Sequence, residues 1–261
     1  MGMLEFEDSA FPLVVAHRGA SSSYPENTLA SFGAAIDAGA QVVELDVRLT
    51  ADGVPIVLHD AEVSRCTDGR GFVHEMTVEQ VKRLDASGGN GPKAEVPTLR
   101  EVLDFVRDRA GIDLEIKNIP GEPSFDSPEE AILLATLREL HDSGFDAVIM
   151  SSFNWLTIER SRELAPELPT GFLTVGAIEA RAALVYAKGA GHPWILPQVD
   201  AVLRAGPGLM DEAHRAGVRV GTWVADDAET LEQLFATGID AVATNDPETA
   251  LELRAAAVGR R

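Results

Sequence analysis

Three acidic residues are spaced so that they could hold a metal ion. Glu44 and Asp46 lie two residues apart in one Val- and Leu-rich run, and Glu115 lies in a later apolar run. Residues two apart on a strand point to the same face, and two carboxylates on a buried face repel each other unless a cation joins them. Three hard oxygen ligands suit Mg²⁺ or Ca²⁺. The alternative is that Glu44 and Asp46 form structural ion pairs with Arg48 and Lys117.

Two histidines are candidates for acid–base chemistry. His17 ends the first apolar run and is followed by Arg18 and Gly19, and His59 follows the apolar run 54–58. Imidazoles exchange protons near neutral pH, so this pair could activate a nucleophile and protonate a leaving group. The remaining histidines lie in loop or helix patterns and are predicted to be solvated: His74, His141, His192 and His214.

Short apolar runs alternate with longer helical patterns along the chain. The strand-like runs lie at 13–16, 41–47, 112–116, 147–150, 170–174, 194–196, 218–222 and 241–243. The helical patterns lie at 27–38, 99–109, 128–141, 155–164, 178–188, 208–216, 228–236 and 247–257. Strands that alternate with helices indicate βαβ units and a parallel sheet, and eight such units close into an α/β barrel, the (β/α)₈ or TIM barrel. A doubly wound open sheet is the alternative.

One interval breaks this alternation, between the second strand-like run and the helical pattern at 99–109. It holds a turn signal at Ala51-Asp52-Gly53, a polar Gly-rich stretch and a short helical pattern at 78–84. A small insertion after strand 2, over about 51–97, explains the interval without a second domain. We therefore expect a single domain over residues 11–258.

Active-site residues of such barrels lie where the strands end. Polar and aromatic side chains gather at these positions here, which scattered surface residues would not do. Lys117 lies two residues beyond Glu115 and could hold a phosphate oxygen beside a metal, although a lone lysine is more often a counter-ion. Phe153 follows the fourth run and Trp223 the seventh, and Phe153 suits packing as well as ligand contact.

The charge and composition narrow the range of partners. Of 261 residues, 22 are basic and 42 acidic, so the formal net charge is −20. A field of this sign repels nucleic acid, anionic membranes and phosphate compounds, so a phosphate substrate would need a local cation. The single cysteine, Cys66, excludes an intrachain disulfide and is expected to be inert. Residues 1–16 resemble neither a signal peptide nor a membrane span, which favours a cytoplasmic protein.

A series of short motifs runs along the chain. In chain order it reads His17-Arg18-Gly19, Pro25-Glu26-Asn27-Thr28, Glu44-Leu45-Asp46-Val47, Asp52-Gly53, His59-Asp60, Thr67-Asp68-Gly69, Pro97-Thr98-Leu99, Glu115-Ile116-Lys117 and Ser152-Phe153. No single motif is rare, but the ordered series is specific. From residue 13 to about residue 250, the order and spacing resemble the glycerophosphodiester phosphodiesterase family.

The resemblance implies a metal-dependent enzyme that hydrolyses glycerophosphodiesters to glycerol 3-phosphate and an alcohol. It also implies a role for each site residue, with His17 assigned as the base and His59 as the acid. The predicted site comprises the acid–base pair His17 and His59, the ligands Glu44, Asp46 and Glu115 for Mg²⁺ or Ca²⁺, the phosphate contacts Arg18 and Lys117, and the supporting residues Glu26 and Asn27. Phe153 and Trp223, at strand ends, complete the predicted substrate-binding residues.

Two late motifs depart from the family's usual pattern. After the seventh strand the family usually has Trp-Thr-Val-Asn, and this chain has Trp-Val-Ala-Asp ending at Asp226. After the eighth the family usually has Thr-Asp-x-Pro, and this chain has Asn245 in place of the Asp. If these two residues touch, their hydrogen bonding could be preserved with the roles exchanged. The predicted catalytic residues match the family pattern. These two departures therefore bear on which alcohol the protein recognises rather than on whether it is active.

Two other functions fit a barrel with these residues. A lysophospholipase D or sphingomyelinase D would need an apolar groove for its lipid chain. A non-catalytic barrel that binds phosphate-containing ligands is disfavoured, because both histidines and all three carboxylates are present.

Overall fold

The computed structural model describes residues 12–88, 92–126 and 130–258. Within them the strands are β1 (Leu13–His17), β2 (Val42–Leu49), β3 (Pro55–Val57), β4 (Gly111–Ile116), β5 (Val148–Ser152), β6 (Thr170–Thr174), β7 (Trp194–Pro197), β8 (Arg219–Thr222) and β9 (Ala241–Thr244). The helices are α1 (Leu29–Ala38), α2 (Val78–Lys82), α3 (Leu99–Val106), α4 (Ala131–Ser143), α5 (Trp155–Leu164), α6 (Ala180–Ala190), α7 (Val199–Ala205), α8 (Gly208–Arg215), α9 (Ala228–Thr237) and α10 (Pro247–Val258). The predicted domain start at residue 11 and the predicted helix start at 128 and 129 lie outside the described residues.

The sheet closes on itself. β1 pairs in parallel with both β2 and β9, and the remaining strands follow in the order β4, β5, β6, β7 and β8 between them. Helices connect the parallel strands, as the alternating pattern predicts. The predicted (β/α)₈ barrel is therefore confirmed, and the open sheet is wrong.

The segment between β2 and α3 adds a ninth strand outside the barrel. β3 pairs antiparallel to the end of β2, after a turn in which Gly53 has a φ of 78°. Two 3₁₀ helices, Val63–Arg65 and Val73–Glu75, and α2 follow it. Their apolar residues form a small core of their own: Ile56, Leu58, Val63, Val73, Val81, Ala86 and Val96.

The alternation of side chains along the strands separates two apolar layers. On β2, Val43, Leu45 and Val47 point outward and pack under the helices. Val42 points into the barrel with Leu13 of β1. Side chains alternate along a strand, so Glu44 and Asp46 continue the inward row. The same periodicity that builds the core therefore turns the two carboxylates into the barrel.

Two expectations for the later part of the chain are wrong. Helix α7 follows β7 directly, and no helix was predicted there. His192, predicted to be solvated, is 1% exposed, and its Nδ1 lies 2.7 Å from Thr170 Oγ1. It is buried because the end of α6 packs beside the start of β6. None of the helices that the structure describes between residues 12 and 258 has the length and apolarity needed to span a membrane.

Candidate active site

The predicted site residues meet at the C-terminal ends of three neighbouring strands. The register of β1 and β2 sets His17 opposite Glu44, and that of β2 and β4 sets Asp46 opposite Glu115. His59 joins them from β3, because Leu58 N donates a hydrogen bond to Asp46 O over 2.9 Å. One end of the barrel thus holds both histidines and all three carboxylates.

The carboxylates of Glu44, Asp46 and Glu115 face one another. Each offers an oxygen, and these oxygens lie within 4.8 Å of one another. All three residues are buried. Burial, with the charge of Asp46 beside them, raises the pKa of Glu115 to about 7 and that of Glu44 well above its ordinary value. A divalent cation suits such a set, because hard oxygen ligands ionise readily around it and their mutual repulsion is removed.

A fourth inward carboxylate, which is half-buried, lies one layer deeper and was not predicted. Asp113 precedes Glu115 by two residues on β4, so it shares the inward face. Burial raises its pKa to about 6, and Ser151 Oγ donates a hydrogen bond to it over 2.6 Å. The signal in the sequence is its spacing from Glu115 inside an otherwise apolar run.

Two cations contact the carboxylates. Lys117 Nζ lies 2.8 Å from Glu115 Oε1 and 3.1 Å from Asp46 Oδ1. Arg18 Nε lies 3.3 Å from Asp46 Oδ2. Although burial opposes its ionisation, these two cations hold the pKa of Asp46 below its usual range. Arg48 does not join them: it binds the backbone carbonyl of His59 and the Glu122 carboxylate, each over 2.7 Å.

The loop after β1 adopts a conformation that few residues tolerate. Arg18 and Asn27 both have a φ of 58°, in the left-handed region that non-glycine residues rarely occupy. Asn27 Nδ2 donates to Asp46 Oδ2 over 2.8 Å, and Arg18 N donates to Glu44 Oε2 over 2.9 Å. Gly19 has a φ of 87°, and a Cβ there would lie 2.3 Å from Ser31 Oγ. The His-Arg-Gly motif therefore requires glycine at its third position.

His17 lies between the carboxylate of Glu44 and the residue that follows β9, the last strand of the barrel. Its Nε2 lies 4.0 Å from Glu44 Oε2, and its Nδ1 lies 2.7 Å from Asn245 Oδ1. Burial, together with the nearby Arg18 guanidinium, lowers its pKa to about 4. The ring is therefore neutral at pH 7 and able to accept a proton.

His59 is paired with a carboxylate. Its Nδ1 lies 2.6 Å from Asp60 Oδ1. Burial lowers its pKa, while Asp46 and Asp60 oppose that shift. Arg65 in turn donates from Nε and Nη2 to Asp60. Asp60 adjoins His59 in a motif, so its contact could be anticipated, whereas no sequence signal marks Arg65.

A cavity of about 190 Å³ opens inside the barrel beside these residues. Phe153 and Trp223 line it opposite the charged groups, and their rings meet edge to face with centroids 5.1 Å apart. Trp223 Nε1 donates to Leu196 O over 2.9 Å, which fixes the indole. The cavity thus has one polar wall and one apolar wall.

A second, more open groove meets this cavity at His17 and Arg18. All of its lining residues are polar, and three of them are acidic: Ser21, Ser22, Glu26, Asp226, Asn245 and Asp246 together with His17 and Arg18. Asp226 and Asn245, the two departures from the family pattern, are in contact: Asn245 Nδ2 donates to Asp226 Oδ2 over 2.7 Å.

Solved structures share this architecture. A glycerophosphoryl diester phosphodiesterase from Silicibacter pomeroyi, described as putative, has a TM-score of 0.83 and 27% sequence identity, with 94% of this chain and 93% of that chain covered. A phosphodiesterase from Oleispira antarctica, solved in complex with the product sn-glycerol-3-phosphate, has a TM-score of 0.81 and 28% identity, with 94% and 97% covered.

The sequence comparisons agree with the structural ones. A glycerophosphodiester phosphodiesterase from Caldanaerobacter subterraneus subsp. tengcongensis is 36% identical over an alignment of 247 residues, with 92% of this chain and 97% of that protein covered. Residues 17–249 match the sequence profile of the glycerophosphoryl diester phosphodiesterase family. The match runs from the last residue of β1 through β9 and includes all the candidate site residues, so the chain belongs to the glycerophosphoryl diester phosphodiesterase family.

Proposed function

We propose that this protein hydrolyses glycerophosphodiesters to glycerol 3-phosphate and an alcohol. The observation that carries the proposal is the convergence of His17, His59 and three mutually facing carboxylates at one cavity. Family membership and the product-bound relative from Oleispira antarctica support the same reaction. The polar groove at the mouth favours a polar alcohol over a lipid chain, and so disfavours the lysophospholipase D and sphingomyelinase D alternatives.

A divalent cation, Mg²⁺ or Ca²⁺, fits the carboxylates of Glu44, Asp46 and Glu115. When bound, the ion would supply positive charge that polarises a phosphoryl oxygen and offsets the charge developing in the transition state. Arg18 and Lys117 already lie beside these carboxylates and would hold the other phosphate oxygens. Together they reverse, at one point, the repulsion that a net charge of −20 exerts on an anionic substrate.

The two histidines would divide the proton transfers between them. His17 is neutral at pH 7 and would take a proton from the nucleophile. The imidazolium form of His59, which Asp60 favours, would give its second proton to the alcohol oxygen as the bond between phosphorus and that oxygen breaks. The nucleophile is either water or the free hydroxyl of the substrate's own glycerol, which has the advantage of an intramolecular attack and passes through a cyclic phosphate.

The two aromatic residues would bind the carbon skeleton. Phe153 and Trp223 form the apolar wall of the cavity, opposite the carboxylates. This arrangement suits glycerol, whose carbons can pack on the rings while its hydroxyls face the polar wall. Glu26 and Asn27 support the site by binding Arg18 and Asp46, respectively.

A chelator-reversible assay on glycerophosphocholine tests the proposal. We expect release of choline and glycerol 3-phosphate, loss of turnover in EDTA and recovery with Mg²⁺ or Ca²⁺. Lysophosphatidylcholine in a parallel reaction separates the lysophospholipase D alternative, which would prefer it. Binding of glycerophosphocholine without turnover under any metal condition would support the non-catalytic barrel instead.

A further inference from the structure

Asn245 connects His17 to a carboxylate that does not touch His17. Asn245 Oδ1 lies 2.7 Å from His17 Nδ1, and Asn245 Nδ2 lies 2.7 Å from Asp226 Oδ2. Asp226 Oδ1 accepts from the Asn245 backbone N–H over 2.8 Å and from Thr244 Oγ1 over 3.1 Å. The side chains thus form a chain from the surface loop after β8 to the ring at the end of β1.

The chemistry of these groups decides which way the amide faces. An ionised carboxylate only accepts hydrogen bonds, so the group turned toward Asp226 must be the Asn245 NH₂. A flipped amide would set its oxygen against the carboxylate. The Asn245 oxygen therefore faces His17.

The orientation of the amide in turn decides the tautomer of His17. A carbonyl oxygen can only accept, so His17 Nδ1 must carry the hydrogen in this contact. In the neutral ring the lone pair is then on Nε2, the nitrogen that faces Glu44 and the cavity. A base needs its lone pair on the side where the reaction occurs.

We propose that Asp226 and Asn245 are positioning residues that hold neutral His17 as the Nδ1–H tautomer, so that Nε2 is its proton acceptor. The expected effect on turnover rests on the proposed function, in which His17 is the base. The assignment of the tautomer does not depend on that role, because it is inferred from the contacts of Asn245 with His17 and Asp226 alone.

This chain has Asp226 where the family usually has Asn, and Asn245 where the family usually has Asp. Substitutions at these two positions can therefore test the proposal. In Asp226→Asn, the new amide keeps its oxygen on the Asn245 backbone N–H, and its NH₂ then meets the Asn245 NH₂. Asn245 must flip to relieve that contact, which presents its NH₂ to His17 and demands the Nε2–H tautomer. Adding Asn245→Asp restores an acceptor beside His17 and a donor at position 226. Asp226 lies on the surface, so its substitution leaves the core packing intact.

The experiment measures the ring ¹⁵N shifts of His17 at neutral pH in the full-length protein labelled at histidine, with His17→Gln to assign the signals. We expect the Nδ1–H tautomer in the wild type, the Nε2–H tautomer in Asp226→Asn, and recovery in Asp226→Asn/Asn245→Asp. Asp227→Asn is the matched control. It makes the same chemical change at the neighbouring position, but Asp227 caps α9 by accepting a hydrogen bond from Thr230 N.

Turnover of glycerophosphocholine separates this proposal from the proposed function. We expect kcat to fall by about 10² to 10⁴-fold in Asp226→Asn and to recover largely in the double variant, since general-base catalysis contributes factors of this size. An Nε2–H tautomer in the wild type, or an unchanged tautomer in Asp226→Asn, would overturn the positioning role. A switched tautomer with unchanged kcat would support the positioning role and remove His17 as the base.

Discussion

Arg65 forms a two-bond ion pair with Glu26, in which Nη1 lies 2.9 Å from Oε2 and Nη2 lies 2.8 Å from Oε1. The pair joins the segment after β3 to the loop after β1. Arg65 also binds Asp60, and Glu26 also binds Arg18, so the contact connects the surroundings of both histidines. The segment after β3 and the loop after β1 are therefore held in one arrangement.

Glu26 should stabilise the protein in a pH-dependent way. Although burial opposes its ionisation, Arg65 and Arg18 lower its pKa from 4.5 to about 2. The stabilisation is thus fully present above about pH 4.5 and is lost as the pH falls toward 2. We expect Glu26→Gln to lower the free energy of unfolding at pH 7 by roughly 1 to 2 kcal/mol after allowance for solvent screening. Urea unfolding at pH 7, 4.5 and 3, with the exposed Glu232→Gln as control, measures this; a difference that stays constant with pH would contradict it.

The three proposed metal ligands should affect metal binding more than folding. We expect Glu44→Gln and Glu115→Gln each to weaken Mg²⁺ or Ca²⁺ binding by at least the ~10 to 100-fold that loss of a ligand's supporting hydrogen bond costs. In chelator the thermal stability of Glu44→Gln should be unchanged or higher, because this change removes a buried carboxylate that repels its neighbours. Glu115→Gln and Asp46→Asn should lower thermal stability in addition to metal binding, since both carboxylates contact Lys117 and Asp46 also contacts Arg18.

Calorimetric metal titration and melting curves distinguish these outcomes. Glu232→Gln removes an exposed carboxylate of α9 and serves as the control for charge alone. Wild-type turnover that persists after exhaustive chelation would refute metal dependence.

The two histidines should respond differently to the leaving group. We expect His59→Ala to be least harmful on a substrate with an acidic leaving group such as nitrophenol, because that group departs without a proton. His17→Ala should be harmful on every substrate, since activation of the nucleophile is always required. Steady-state kinetics on nitrophenyl and choline diesters measure the ratio. Equal losses for both variants on both substrates would contradict the division of labour.

Cys66 should react slowly in the folded protein. Burial and the charge of Glu26 raise the pKa of its thiol from 9.0 to about 12. At pH 8 the thiolate fraction is then about a thousandfold lower than in the unfolded chain, and the thiolate is the nucleophile. We expect alkylation by iodoacetamide to be correspondingly slow and to accelerate in Glu26→Gln. Equal alkylation rates in the native and urea-unfolded protein would contradict a raised thiol pKa in the folded protein.

The periodic elements of the fold were predictable because local patterns encode them. Strand β2 reads as an apolar run, and α1 is bounded by Thr28, which caps it through Ser31 N, and by Gly39 at a φ of 103°. Helix α7 was not predicted, because it follows β7 without the turn residues that usually separate elements. His192 looked like a loop residue, and its burial depends on Thr170 of a different element.

The candidate site was predictable to the extent that its residues lie in short motifs. Glu44 and Asp46 share a strand, so their common face follows from spacing alone. The contacts of Arg65 with Glu26, and of Asn245 with His17, join residues far apart in the chain. Such contacts depend on how the whole barrel closes, and a single sequence carries no local signal for them.

The pairing of β1 with β9 determines when, during synthesis, the barrel and its candidate active site can form. His17 and Asn245 are 228 residues apart, and the barrel has no closed form until β9 is made. His17, His59 and the carboxylates of Glu44, Asp46 and Glu115 precede residue 118, so a nascent chain carries these groups long before Asn245, which contacts His17. We therefore expect closure of the sheet and formation of the contact between His17 and Asn245 to occur together, late in folding.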